Sequence, residues 1–426
     1  FYYHHQYYMI KSYRIDDDSK KEALRQMFSA SHVALIYGSA GTGKSTLLRH
    51  ISNFWANRDK LFLANTHPAV DNMRRKVTAA KSEYSTIAKF LSQKNQNVSC
   101  DILFIDECST VSNKDMRQIL EKAQFKLLVL VGDVYQIESI YFGNWFSIAQ
   151  MFIPNTSVFE LTHPYRTTDD ALLMVWDRVR KLNDSILELL VKSGYVARLD
   201  ESIFERSGDD EIILCLNYDG LYGINNINRF LQSSNPNESI TWGINTYKVG
   251  DPILFNESNK FSPLIHNNSK GKIVAIKVEE QRISFHIELE EAINEIDAQG
   301  YDFELIGISQ NGHSIISFSI NKLRSTDEDD DDNDSTVVPF QVAYAVSIHK
   351  AQGLEYDSVK IVITNETEER ITHNIFYTAI TRARKKLKIY WSPETEQSVL
   401  SRLEAKNNNK DAFLLSQLST LQIISK

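Results

Sequence analysis

Cysteine is scarce in this chain and forms no pattern. Cys100, Cys108 and Cys215 are the three present among 426 residues. An odd count without metal-ligand spacing argues against a disulfide framework and a zinc site, and for a reducing, cytoplasmic setting. No apolar run approaches the length of a membrane span, and no secretory signal or solenoid-period repeat is visible. A basic excess is missing too. Lys and Arg number 47 against 55 Asp and Glu, a net charge of −8, so bulk charge does not advertise a nucleic-acid partner. The acidic surplus is local: seven carboxylates fall between Asp327 and Asp334, which reads as a solvated loop. Basic clusters at Arg74–Lys76 and Arg382–Lys388 could still follow phosphates. An initiating methionine is absent as well. The opening Phe1-Tyr-Tyr-His4-His5 therefore reads as part of a longer protein, with a segment upstream of residues 1–13. Two adjacent histidines without further ligands make no metal site.

What the chain does contain is a glycine-rich turn in a telling place. Gly38-Ser-Ala-Gly41-Thr42-Gly43-Lys44-Ser45-Thr46 follows the apolar Val33–Tyr37 and precedes Leu47-Leu-Arg-His-Ile51. A buried strand, a glycine turn and a helix start ending in Gly-Lys-Ser make a P-loop. Glycines let successive backbone N–H groups turn towards a phosphate, and the helix N-terminus adds partial positive charge. Lys44 is placed to reach the β- and γ-phosphates, and the Ser45 hydroxyl to hold Mg²⁺.

A second apolar run, Ile102–Ile105, delivers Asp106 and Glu107 at its end. Ligands of doubly wound sheets bind at that edge. Asp106 suits Mg²⁺, an ion that prefers oxygen ligands, and Glu107 suits activation of the attacking water. A third run, Leu127–Val131, leads into Gly132-Asp-Val-Tyr-Gln136, which puts a side-chain amide where a γ-phosphate could be sensed. Further on lie Leu161-Thr-His-Pro-Tyr165-Arg166, then Ala345-Val-Ser347-Ile-His349-Lys-Ala-Gln352-Gly353-Leu-Glu355, then Tyr377-Thr-Ala-Ile-Thr381-Arg382-Ala-Arg384.

In this order the set resembles the superfamily 1 helicases, and within them the RecD-like group, over residues 15 to 395. The resemblance implies an α/β fold of two RecA-like, doubly wound parallel-sheet domains, with ATP and Mg²⁺ bound between them. It implies catalytic roles for Lys44, Asp106, Glu107, Gln136, Arg166 and Arg382, the two arginines reaching the γ-phosphate. Tyr165 is similar to the aromatic residue that stacks on adenine, and Gly353 and Glu355 fall near the nucleotide's sugar. Thr66, Thr86, Ser347 and His349 resemble residues that contact the nucleic-acid strand without reading its sequence. Each of these four reads equally well as an ordinary cap or loop residue. By the same resemblance the partner is single-stranded DNA rather than RNA, and movement runs 5′ to 3′.

The chain departs from the pattern in three places. Lys20 stands where the group carries a glutamine that reads adenine, which opens the question of base selectivity. Asn65 replaces a proline before Thr66. Between the Thr86 motif and the Asp106–Glu107 motif, where the group inserts a strand-splitting hairpin, only Ser92–Cys100 is available, too short for a long one. Translocation is thus expected more than vigorous unwinding. A second reading is a nucleotide-dependent regulatory ATPase module of a larger assembly. A small-molecule kinase would leave the later motifs unexplained.

The motif positions predict a first RecA-like domain over 14–155 and a second over 156–240 and 335–395. Between its halves, 241–334 alternates apolar and polar residues around glycine turns, as in Lys270–Ile276 and Arg282–Leu289. By the resemblance this is a small SH3-like insertion that grips DNA. Residues 396–426 read as a helical tail, with Val399, Leu400, Leu403, Phe413, Leu414, Leu418 and Leu421 as its apolar stripe.

Overall fold

In the computed structural model, the described residues are Lys20, then 32–404 apart from 40, 78, 94–96, 137–142, 163–164, 184, 257–260, 262–263, 266, 291 and 323–335, and finally 410–411, 413–414 and 416–417. The terminal segment 1–13, with His4 and His5, and the acidic run 327–334 lie outside them.

Two compact units emerge. The first comprises Phe1–Leu190, Thr372–Thr381 and Leu400–Lys426, the second Val191–Ile371 and Arg382–Val399. Among the described residues no helix is long and apolar enough to cross a membrane.

The first unit is built on a six-stranded parallel sheet. Its order is Ser82–Thr86, Lys60–Ala64, Ile102–Ile105, Leu127–Gly132, Val33–Gly38, Val158–Leu161. Parallel strands covered by helices on both faces need apolar side chains on both, which is why the central runs are continuous, whereas the edge strand Ser82–Thr86 is largely polar. One face packs Phe62, Phe104 and Val129 against Leu47, Leu48 and Ile51 of the helix Lys44–Phe54. The other packs Leu35, Leu103 and Leu130 against Met116 and Ile119 of the helix Asn113–Lys122. Phe62 stacks on Phe104 with ring centres 4.3 Å apart and on Tyr84 at 4.8 Å, locking three adjacent strands.

The first unit reaches beyond the expected limit at residue 155. Val158–Leu161 pairs in parallel with Val33–Gly38, because its backbone completes that strand's free side. The helices Asp170–Lys181 and His373–Ile380 also group with this unit. His373 Nε2 donates to the Val179 carbonyl at 2.7 Å, and the Trp176 indole donates to the Ile380 carbonyl at 3.2 Å.

The second unit holds a five-stranded parallel sheet, in the order Ala345–Ser347, Glu211–Cys215, Tyr356–Val362, Ala383–Tyr390, Val196–Ala197. It also holds a six-stranded antiparallel sheet, Glu304–Ile308, Ser314–Asn321, Arg282–Leu289, Lys270–Val278, Pro252–Phe255, Phe340–Val342. Strict alternation in Arg282–Leu289 buries Ile283, Phe285, Ile287 and Leu289 on one face, against Phe255, Phe318 and Phe340. The last strand, Phe340–Val342, lies past the expected end of the insertion at 334, since its partner is Pro252–Phe255. Asp251 anchors the turn entering this sheet. Fully buried, it accepts hydrogen bonds from Gln232, Asn235, the Lys248 N–H and the Tyr344 hydroxyl.

The tail departs from its predicted stripe. A helix runs from Pro393 to Arg402 and buries Val399, but Phe413 and Leu414 are exposed, and Leu418 and Leu421 fall outside the described residues.

Candidate nucleotide site and strand-facing residues

The end of Val33–Gly38 turns directly into a helix start that no side chain caps. Gly43 occupies the N-cap position at φ 80°, and no acidic residue sits in the first turn. The amides at this end are therefore left for an anion. Gly41 is also left-handed, at φ 78°. Its missing side chain matters for a second reason: a Cβ there would meet the Arg166 Cβ at 2.4 Å. Likewise a Cβ on Gly38 would lie 2.4 Å from the Thr42 hydroxyl, which donates to the Ser39 carbonyl at 2.9 Å. Lys44 Nζ donates to the Gly38 and Ser39 carbonyls at 2.8 and 2.9 Å. Ser45 and Thr46 follow in the first helical turn, half-buried.

Carboxylates approach from the two neighbouring strands. Asp106 ends Ile102–Ile105, and its Oδ1 accepts the Glu107 N–H at 2.8 Å. Glu107 itself is held at φ 53°, a left-handed conformation that costs a non-glycine residue about 1–2 kcal/mol. Such strain concentrates at functional positions. Asp133 ends Leu127–Gly132, the strand beside the P-loop strand. The sequence does not single it out. Burial raises the carboxyl pKa of both Asp106 and Asp133. Burial lowers the Lys44 ammonium, opposed first by the charge of Asp133 and then by that of Asp106. The Ser45 hydroxyl and the Asp106 carboxylate are hard oxygen donors of the kind Mg²⁺ takes.

Gln136 is fixed at both ends. Its Nε2 donates to Asp133 Oδ2 at 3.2 Å, and its carbonyl accepts from the Asn374 side chain at 2.9 Å. Tyr165 is hung on the P-loop, its N–H donating to the Gly41 carbonyl at 2.7 Å, with its ring exposed. Arg166 Nη1 donates to the Thr381 carbonyl at 2.8 Å. Lys44, Ser45, Asp106, Glu107, Gln136, Tyr165 and Arg166 thus share the first unit.

The remaining nucleotide-site candidates belong to the second unit. Arg382 is 2% exposed, with Nη1 donating to the Leu354 carbonyl at 3.1 Å and its own carbonyl accepting from the Tyr356 N–H. Gly353 is exposed at φ 82°, and the Glu355 carbonyl accepts from Lys270 at 3.0 Å. Just before Gly353, Gln352 Nε2 is enclosed with no hydrogen-bond partner among the described residues.

The strand-facing candidates divide. Thr66 and Thr86 are helix N-caps, their hydroxyl oxygens accepting the Ala69 and Lys89 N–H groups. The two helices start side by side, because Ala64 and Thr86 are in register. Ser347 is buried and its oxygen accepts the Lys350 N–H, whereas His349 is exposed. The cluster Arg382–Lys388 is largely used internally, contrary to the phosphate-tracking expectation. Arg382 is buried, Arg384 pairs with Asp210 and Asp357, Lys385 pairs with Asp357, and Lys388 donates to the Gly194 carbonyl.

Comparison with known proteins matches this geometry. Residues 17–201 match the AAA domain family and residues 342–390 the UvrD-like helicase C-terminal domain. The RecBCD enzyme subunit RecD of Mycolicibacterium smegmatis is 24% identical over 347 residues, covering 74% of this chain and 54% of the relative. The ATP-dependent DNA helicase Pif1 of Campylobacter jejuni is 24% identical over 417 residues, covering 83% and 87%. The chain spans about half the length of that RecD relative. Among solved structures, the Pif1 helicase from Candida albicans aligns with TM-score 0.56 at 17% identity, over 96% of this chain and 100% of that one. A Bacteroides Pif1 helicase in complex with ADP-AlF3 and ssDNA aligns with TM-score 0.55 at 15% identity, over 96% and 98%. The fold is α/β with two RecA-like domains, and these matches together support a superfamily 1 helicase of the RecD and Pif1 type.

Proposed function

We propose that the chain is an ATP-driven translocase of single-stranded DNA that couples hydrolysis at the first unit's sheet edge to movement along the strand. One observation carries the reading. An uncapped glycine-rich helix start bearing Lys44 lies at the same C-terminal sheet edge as Asp106 and Asp133, whose charges act on that lysine. Phosphates need such donors, and the carboxylates need the cation and metal that accompany phosphates.

In this proposal Lys44 leaves the Gly38 and Ser39 carbonyls for β- and γ-phosphate oxygens. Gly41, Thr42, Gly43, Lys44, Ser45 and Thr46 supply backbone N–H groups to the phosphate chain. Ser45 and Asp106 would hold Mg²⁺, which when bound neutralises phosphate charge. Glu107 accepts the proton of the attacking water, and Gln136 orients at the γ-phosphate. Arg166 and Arg382 stabilise the charge that develops on the transferring phosphoryl group. Tyr165 carries the base, and Gly353 and Glu355 flank the sugar.

For the strand, Thr66 and Thr86 keep a hydroxyl proton to donate after capping their helices, and His349 offers an exposed ring. Ser347 acts by shaping the loop that presents His349. The proposed direction is 5′ to 3′. A protein partner is a corresponding proposal, since the RecD relative is named as a subunit of an enzyme.

The test is ATP hydrolysis with and without single-stranded DNA at low salt, beside the Glu107→Gln protein. Strong stimulation that disappears in the variant is expected. Hydrolysis indifferent to DNA would instead favour the regulatory module.

A further inference from the structure

Lys20 enters the nucleotide site from outside the P-loop. It is 5% exposed, and its ammonium lies 4.6 Å from the centre of the Tyr165 ring. It also presses on the loop itself, since a Cβ on Gly43 would meet Lys20 Nζ at 2.8 Å. Tyr165 in turn is tied to the loop through the Gly41 carbonyl, and its ring is 55% exposed. Phosphates seated on the amides of Gly41 to Thr46 bring the nucleoside within reach of that ring. A base laid on or beside it has the Lys20 ammonium within side-chain distance.

The chemistry of that ammonium is one-sided. Lysine has three donors and no acceptor. The outer edge of guanine presents two acceptors, N7 and O6, and the same edge of adenine presents the N7 acceptor beside the N6 amino donor. An ammonium can satisfy both guanine atoms, but it meets adenine's amino hydrogens with hydrogens of its own. A side-chain amide, with one donor and one acceptor, has the opposite match.

From this we infer that Lys20 is a specificity-determining residue, and that the site takes guanine nucleotides at least as well as adenine nucleotides. The inference rests on the nucleotide-site reading above, deepens it to the class of base accepted, and is independent of whether the chain moves along DNA.

The experiment measures dissociation constants for ATP, GTP and ITP by competition against a fluorescent nucleotide, together with kcat/KM for each, on the full chain. Wild type, Lys20→Gln and Lys20→Met are compared. Wild type should bind GTP as tightly as ATP or more so. ITP should follow GTP, because it keeps N7 and O6 and lacks the 2-amino group. Lys20→Gln should shift the GTP-to-ATP ratio about ten-fold towards ATP, the size of one good edge pairing, and Lys20→Met should weaken GTP more than ATP. Preference of wild type for ATP by ten-fold or more would overturn the inference. So would equal losses for all three nucleotides in both variants, the signature of a phosphate contact. Binding without any hydrolysis would sink the motor reading while leaving the base ratio legible.

Discussion

Asn374 donates its side-chain amide to the backbone carbonyl of Gln136 at 2.9 Å, although 238 residues separate them. Asn374 opens the helix His373–Ile380, and Thr381, at that helix's other end, accepts from Arg166. The helix therefore touches the loop carrying the proposed γ-phosphate sensor at one end and a proposed transition-state arginine at the other. A hydrogen bond of this kind is worth about 1 kcal/mol net, or roughly five-fold in rate if felt wholly in the transition state. Asn374→Ala is expected to lower kcat by about that factor and leave the KM for ATP nearly unchanged. A matching rise in KM would instead mean that the contact only supports binding.

Glu107 makes a sharper case, because its backbone and its carboxylate can be separated. Its φ of 53° is a conformation that glycine adopts without penalty. Glu107→Gly should raise the melting temperature, relieving up to about 1–2 kcal/mol, while abolishing turnover. Glu107→Gln should keep the strain and nucleotide binding, and lose about 10²–10⁴ in kcat. Lys44→Ala should lose turnover together with nucleotide affinity. Appreciable turnover in Lys44→Ala would refute the site assignment.

Asp106 and Asp133 carry opposite pH dependences for stability and for binding. Burial raises both folded-state pKa values above the ordinary 3.8. Between that value and the raised one the folded chain holds more protons than the unfolded chain, so nucleotide-free stability rises as pH falls through the window. Metal and nucleotide need the ionised carboxylates, so their affinity should fall over the same window. Melting curves against pH, with and without Mg²⁺ and ATP, should therefore converge on acidification. Asp106→Asn should reduce the convergence.

How much of this was legible beforehand depended on chain distance. The P-loop and the Asp106–Glu107 pair each sit at the end of one apolar run, so their place in a parallel sheet could be read locally. Asp133 also follows an apolar run, Leu127–Val131, but nothing local ties it to Lys44. Its influence on Lys44 arises because Leu127–Gly132 lies next to Val33–Gly38, and strand adjacency is not written in either strand. Val158–Leu161 is four residues long, is interrupted by Glu160 and carries no glycine, so its membership of the first sheet was missed. Helix His373–Ile380 was assigned by its motif to the second domain, but Trp176, Val179 and Arg166 bind its backbone and His373 in the first unit. Thr66 and Thr86 show a different limit. A threonine before a helix caps it whether or not a phosphate is near.

His373 couples the same helix to pH. Its ring is buried, with Nε2 donating to the Val179 carbonyl at 2.7 Å, and burial lowers its pKa from 6.5. The unfolded chain therefore takes up a proton first as pH falls below about 6.5, which favours unfolding. The His373 contribution to stability should decline as pH falls below about 6.5, opposite in sign to that of Asp106 and Asp133. His373→Gln, which cannot titrate, should flatten that decline when thermal melting is followed across the range. An unchanged slope would assign the acid sensitivity to other groups.

In the second unit Asp251 should be the most sensitive polar position. Its two oxygens together accept from Gln232 at 2.6 Å, Asn235 at 2.8 Å, the Lys248 N–H at 2.9 Å and the Tyr344 hydroxyl at 2.8 Å. These donors come from the helix Ile224–Ser234 and its flank, from the turn itself and from Tyr344, so one carboxylate ties the antiparallel sheet to the parallel one. Asp251→Ala would leave several enclosed donors without an acceptor, each costing about 1–3 kcal/mol. Relaxation lets some of them find water, so a total near 3–5 kcal/mol is expected for the unit. Asp251→Asn keeps the shape but turns an amide towards donors, and should fall between wild type and alanine. Neither change touches the P-loop. Nucleotide affinity at low temperature should therefore survive in both proteins, while urea midpoints fall in the order wild type, asparagine, alanine. Loss of nucleotide binding in parallel with the urea midpoint would show instead that the two units unfold as one.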